Sequence, residues 1–154
     1  PPHDEATRVI PARNAFVIGT MLQDVTRRGT AAPAQRALAR TDLYGKTGTT
    51  NDVVDAWFAG FQPGVVAVAW VGHDEPRSLG SHESGAALAL PVWIGFMAQA
   101  LQGVDEQPLA APPDVVRVDG DWRYAEWAAG GHVERIDVEL TGPPAPPDAT
   151  TAVP

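Results

Sequence analysis

Gly45-Lys46-Thr47-Gly48-Thr49-Thr50-Asn51-Asp52, followed by Asp55-Ala56-Trp57-Phe58-Ala59-Gly60-Phe61, is the most informative stretch of this 154-residue chain. Lys46 is its only lysine; every other basic side chain is arginine or histidine. The β-branched threonines favour a strand over 43–50. Alternation along that strand puts Thr47 and Thr49 on one face, where both hydroxyls can reach the same anion. With the Lys46 ammonium beside them they form a pocket for a carboxylate. Gly48 has no side chain, so a peptide can approach the backbone closely. An exposed strand edge would let that peptide dock by main-chain hydrogen bonds. The bland alternative is a surface lysine next to a glycine turn. The candidate site is Lys46, Thr47, Gly48 and Thr49.

Two more strands follow. In 55–61, Trp57, Ala59 and Phe61 alternate with Ala56, Phe58 and Gly60. The run 65–72 is almost wholly apolar, which predicts a strand covered on both faces or central in its sheet. Gln62-Pro63-Gly64 between them signals a tight turn and an antiparallel hairpin.

Helices flank these strands. Residues 14–29 carry Ile18, Met21, Leu22 and Val25 at i, i+3, i+4 and i+7, a single buried stripe. Asn14 is the expected cap, and Gly29 the left-handed stop. Arg27 and Arg28 suit the negative pole of the helix dipole and read as a solvated end. Residues 30–42 read as a loop with a short helical turn at 34–39. After a polar loop over 73–85, Pro91 opens a second helix that ends near Gly103. Its stripe of Trp93, Phe96, Met97, Ala100 and Leu101 reads as core.

Beyond Gln107 the character changes. Pro108, Pro112 and Pro113 form a linker, and strand-like runs follow at 115–118 and 133–140. The Pro, Ala and Thr-rich end reads as a disordered tail. The expected division is 1–107, an appendage at 108–140 and a tail at 141–154.

Composition narrows the function. The net charge of -8 is scattered along the chain, so nucleic acid is not an expected partner. The absence of cysteine removes disulfides, thiolate metal sites and a cysteine nucleophile. The pairs His73-Asp74 and His82-Glu83 lack metal-ligand spacing, so no metal or cofactor is expected. Asp52 and Asp55 read as local hydrogen-bond acceptors at a turn, and not as an acid–base pair. Starting at Pro1-Pro2 with no initiator methionine, the chain reads as a soluble piece of something longer. No signal peptide is visible, and the apolar stretch 86–101 falls short of the roughly 20 residues of a membrane span.

The segment 44–52 with 55–61 resembles the third-motif region of the bifunctional (class A) penicillin-binding proteins. Val68-Ala69-Trp70-Val71-Gly72-His73-Asp74 is similar to the next strand of that family, and Ala89-Leu90-Pro91-Val92-Trp93 to the start of its C-terminal helix. Gln23-Asp24-Val25 through Arg28-Gly29-Thr30-Ala31 resembles the helix and glycine-threonine turn before the motif. The similarity runs over 9–107 in the family's order.

The resemblance implies an α/β (α+β) fold, an antiparallel sheet with helices on one face. Its five-stranded sheet would be incomplete here, with the absent pair lying beside 65–72. Lys46 would stand beside the catalytic serine, supplying positive potential. Thr47 and Thr49 would hold the terminal carboxylate of a D-Ala-D-Ala stem peptide or of a β-lactam, and the Thr49 N–H would form half of an oxyanion hole. Trp57, Trp70, Trp93 and Asp55 match family positions as scaffold. The implied activity is peptidoglycan D,D-transpeptidation at the outer face of the cytoplasmic membrane, with the anchor and the N-terminal half of the domain outside this chain.

The family's nucleophile is absent. A Ser-x-x-Lys motif using Lys46 would need serine at position 43, which is Leu43. Ser-x-Asn fails too, because Ala12 and Thr49 precede Asn14 and Asn51 by two residues. Ser78, Ser81 and Ser84 read as solvated loop hydroxyls. The isolated chain is therefore expected not to acylate. Two alternatives stand beside the transpeptidase: a non-catalytic module that binds D-Ala peptides or acts as a scaffold, and a fragment of a serine β-lactamase.

Overall fold

The computed structural model describes residues 9–130. The strand expected at 133–140 and the tail expected at 141–154 lie outside the described residues. Helices α1 (Ala12–Arg27) and α2 (Ala32–Leu38) precede strand β1 (Tyr44–Thr49). A 3-10 turn at Asn51–Val53 leads into β2 (Asp55–Gln62) and β3 (Val65–Gly72). A π-helical turn, Gly85–Ala89, runs straight into α3 (Leu90–Ala100). The hairpin β4 (Val115–Val118) and β5 (Asp121–Tyr124) follows; β5 gave no strand signal in the sequence.

Strands β1, β2 and β3 form one antiparallel sheet in chain order, in register from Tyr44↔Phe61 through Thr49↔Ala56 and from Asp55↔Gly72 through Gln62↔Val65. The turn is closed by the Gly64 N–H, which donates to Gln62 Oε1 at 2.8 Å. One face of this sheet is the core. Phe58 of β2 meets Trp93 of α3 edge-on, with ring centroids 4.9 Å apart. Gly60 makes that packing possible, because a Cβ there would lie 2.9 Å from Trp93 Cζ2 and 2.8 Å from the Tyr44 carbonyl. The buried Trp93 indole still satisfies its donor, bonding the Ala67 carbonyl at 3.1 Å. Ala34, Leu43, Leu90, Met97 and Leu101 are among the other buried members of the cluster. Truncating Trp93 would cost roughly 3–5 kcal/mol.

A buried carboxylate ties this core together at one end. Asp42, fully buried, accepts from Arg40 at 2.8 Å, from Gln62 Nε2 at 3.0 Å and from the Gln107 N–H at 2.9 Å. Arg40 also donates to the carbonyls of Val104 and Asp105. One ion pair thus anchors the start of β1, the end of β2 and the segment after α3.

Several sequence expectations are corrected. Helix α1 begins two residues before Asn14, with Pro11 in the cap position. It buries Phe16, Gly19 and Thr26, while Ile18 and Met21 are 54% and 59% exposed. Local contacts set this rotation. Thr26 Oγ1 donates to the Leu43 carbonyl at 2.7 Å, and a Cβ on Gly19 would lie 2.6 Å from Leu109 Cδ1. Gly29 has no positive φ; it is small because a Cβ would stand 2.8 Å from Val25 Cα. Phe96 points outward at 54% exposure, so the apolar stripe of α3 reduces to Trp93, Met97 and Leu101. Among the described residues strand β3 lies at the sheet edge, with Val66, Val68 and Trp70 exposed, and its free margin is the one beside which the absent pair of strands is expected.

The β4–β5 hairpin rests on α1. Trp122 meets Phe16 edge-on at 4.9 Å, Arg13 lies 4.5 Å over the Tyr124 ring, and Tyr124 Oη donates to Asn14 Oδ1 at 3.1 Å.

Candidate active-site strand

Strand β1 has two different halves. Leu43, Tyr44 and Gly45 are buried, whereas Lys46 and Thr49 are exposed and Thr47 and Gly48 half-buried. The strand pairs only with β2 among the described residues, so its other margin carries no strand. The Thr50 N–H donates to the Asp55 carbonyl at 3.1 Å. In an antiparallel ladder alternate residues turn their backbone groups to opposite sides. Those of Lys46 and Gly48 therefore face β2, while the N–H and C=O groups of Thr47 and Thr49 face the open margin.

Register fixes the side chains. Thr47 pairs with Phe58 and Thr49 with Ala56, so both threonines share the α3-covered face. Lys46 and Gly48 pair with Ala59 and Trp57 on the other. The long lysine stem crosses this division. Its Nζ lies 2.9 Å from the Thr47 carbonyl and 3.4 Å from Thr47 Oγ1, beside the open margin. The ammonium and the Thr47 hydroxyl thus meet on a strand whose other margin is unpaired among the described residues.

Two groups outside the strand hold the threonines. Thr47 Oγ1 is 3.1 Å from Thr30 Oγ1, and Thr49 Oγ1 accepts from the Gly85 N–H at 3.0 Å. Gly85 sits hard against the sheet; a Cβ there would lie 2.6 Å from the Gly48 carbonyl oxygen.

A family profile described as the penicillin binding protein transpeptidase domain matches residues 1–90. The chain is 49% identical over 116 residues to penicillin-binding protein 1A of Pseudomonas aeruginosa, covering 74% of this chain and 14% of that protein.

The chain belongs to the penicillin-binding transpeptidase family.

Penicillin-binding protein 1A of Neisseria gonorrhoeae is 45% identical over 121 residues, which is 79% of this chain and 15% of that protein. The crystal structure of penicillin-binding protein 1A from Haemophilus influenzae aligns with a TM-score of 0.67 at 38% identity, over 71% of this chain and 18% of that one. The chain therefore spans only about one-seventh of the curated relatives' length (14% and 15%). Its mixed fold, an antiparallel sheet with helices packed on it, is that of a penicillin-binding transpeptidase segment.

Within this transpeptidase segment, Lys46, Thr47, Gly48 and Thr49 all lie on β1. The turn that follows has Asp52 at φ 59° and Val53 at φ 53°. Asp55 Oδ1 accepts from Trp70 Nε1 at 2.8 Å, across to β3. Ser78 Oγ and Ser84 Oγ accept from the N–H groups of Gly80 and Ala87, the bonds of loop and helix-capping residues. His73 Nδ1 lies 3.2 Å from Arg77 Nη2. Among the described residues no cluster of three or more His, Asp or Glu could hold a metal ion. No helix among them is long and apolar enough to cross a membrane. Thr30, Gly85 and Asp42 are the residues that sequence reasoning missed. Each acts through a partner distant in the chain, which no local spacing reports.

Proposed function

We propose that this chain supplies the substrate-carboxylate and oxyanion-hole strand of a serine D,D-transpeptidase that cross-links peptidoglycan stem peptides. Thr47 and Thr49 hydroxyls donate to the terminal carboxylate of a D-Ala-D-Ala peptide, or to that of a β-lactam. The peptide lies along the open margin of β1, where the Thr47 backbone groups can add a strand-like pairing. The Thr49 N–H, aimed at the same margin, supplies one of the two donors for the developing oxyanion. Lys46 stabilises anionic charge there and contacts the nucleophilic serine, which comes from a part of the domain outside this chain.

The observation that carries this reading is the contact of Lys46 Nζ with Thr47 Oγ1 on a strand whose other margin is unpaired among the described residues. The active enzyme works at the extracytoplasmic face of the bacterial membrane, held by an anchor outside this chain. Residues 1–107 belong to the transpeptidase domain, 108–140 to a small appendage and 141–154 to a tail. The rest of the sheet covers β3. The chain alone, lacking Ser-x-x-Lys, is inactive.

Fluorescent penicillin labelling tests this. The full-length protein is acylated, and its Lys46→Ala variant reacts on the order of a hundredfold more slowly. Undiminished labelling of the variant removes Lys46 from the mechanism. A second reading is a non-catalytic module that binds D-Ala-terminated peptides along the same strand. Saturable binding of such a peptide by the full-length protein, with no acylation by penicillin, selects it.

A further inference from the structure

We propose that the cleft between α1, α2 and the β4–β5 hairpin binds the glycan strand of peptidoglycan, the amino-sugar polymer from which stem peptides hang. The choice of polymer rests on the transpeptidase reading above.

One face of α1 forms the floor. Val17, Met21, Asp24 and Arg28 recur at i, i+4, i+7 and i+11, and all four line the cleft. Met21, 59% exposed and so absent from the core, belongs to this stripe. Gln35 of α2, with Arg117 and Trp122 of the hairpin, makes the walls. The cleft holds about 810 Å³; a smaller cavity of about 290 Å³ shares Val17 and Trp122 with it and is also lined by Trp127. Sites for small ligands ordinarily enclose roughly 300–1,000 Å³.

The lining selects the ligand class. Asp24, Asp119 and Asp121 are matched by Arg27, Arg28 and Arg117, three acids against three bases, so the cleft has no net charge with which to hold a nucleic acid or a polycation. A sugar ring presents C–H groups on its faces and hydroxyl and acetamido groups around its rim. It needs a flat apolar surface flanked by side chains that donate and accept. Trp122 is half-buried, and its ring is fixed by meeting Phe16 edge-on at 4.9 Å. Arg28 pairs with Asp24, whereas the side chains of Arg27 and Gln35 have no hydrogen-bonding or ionic partner among the described residues. A guanidinium that only donates and an amide that does both are therefore available to the rim.

Position ties the cleft to the substrate strand. Arg27 ends α1, and Thr30, three residues on, brings its hydroxyl within 3.1 Å of Thr47 Oγ1. From that end the cleft runs back along α1 to Val17, a helical rise of about 15 Å. It thus starts beside the strand that receives the peptide branch and leads away from it.

Hydroxyl-radical footprinting of the full-length protein tests this, with glycan strands stripped of their stem peptides as the probe. Met21 and Trp122 are oxidisable and both line the cleft, so each reports its occupancy. Oxidation of both should fall severalfold at saturating glycan. Arg27→Ala/Gln35→Ala removes two rim side chains that lie outside the core cluster. In that variant the glycan concentration giving half protection should rise roughly tenfold or more. Unchanged oxidation of Met21 and Trp122, wherever else on the protein the glycan binds, overturns the proposal. So does protection by a sugar-free stem peptide in the glycan's place. Neither result touches the transpeptidase reading, which falls instead if penicillin fails to acylate the unaltered protein.

Discussion

The backbone N–H of Gly85 donates to Thr49 Oγ1 across 3.0 Å, so a residue 36 positions downstream sets one hydroxyl of the substrate strand. No side chain is tolerated at Gly85. A Cβ there would meet the carbonyl oxygens of both Trp57 and Gly48, which are sheet backbone and cannot swing aside. Gly85→Ala must push the π-helical turn away from β1. We expect a destabilisation of about 1–3 kcal/mol in thermal unfolding. Penicillin acylation of the full-length protein should slow by roughly a hundredfold as Thr49 is displaced. Gly95→Ala is the control, because a Cβ at Gly95 meets nothing within 4 Å. It should be neutral or slightly stabilising.

Acid stability should report the buried carboxylate. Burial pushes the Asp42 carboxyl up, but the Arg40 guanidinium, the Gln107 N–H and the Gln62 amide more than reverse this and hold it at about 2. The ordinary value is 3.8. The folded state therefore binds its proton later than the unfolded state as pH falls. The stabilisation is fully present above about pH 4 and is lost as pH drops towards 2; it amounts to about 2 kcal/mol. Asp42→Asn should flatten that part of the stability profile. It should also cost on the order of 3 kcal/mol at neutral pH, because Arg40 loses its partner. Chemical denaturation at several pH values measures both. An unchanged slope between pH 4 and 2 in the variant would show that Asp42 does not carry the effect.

The outer strand predicts how the isolated chain behaves. Val66 and Val68 are 78% and 60% exposed on β3, whose outer margin is unpaired among the described residues. Apolar edges of this kind recruit other strands. The 154-residue chain alone should self-associate with rising concentration in sedimentation velocity. Val68→Lys should return it towards monomer. A parent chain that stays monomeric at high concentration would mean that this edge is protected.

What the sequence made legible divides along physical lines. The three sheet strands and their hairpin were readable because period-two alternation and the Pro63-Gly64 turn are local signals. The placement of residues 46–49 on one strand was readable for the same reason. The burial of α1 was misread: Ile18 and Met21 satisfy helical periodicity, yet Phe16, Gly19 and Thr26 are the buried residues. The Leu109 side chain leaves room only for a small residue at 19, and Thr26 has the Leu43 carbonyl to bond, neither of which periodicity weighs. The apolar run of β3 suggested a central strand, but hydrophobicity cannot say which chain segment provides the cover. Arg40 and Asp42 stand two residues apart like any surface pair. Only the folded chain brings Gln62 and Gln107 to that carboxylate and makes it a buried anchor.

The central claim is that Thr47 and Thr49 together grip the carboxylate of a bound substrate. A crystal structure of the full-length protein acylated by benzylpenicillin tests it directly. Both threonine Oγ1 atoms should lie within about 3 Å of the antibiotic's carboxylate oxygens, at hydrogen-bonding distance. A carboxylate seated elsewhere, with neither hydroxyl in contact, would contradict it.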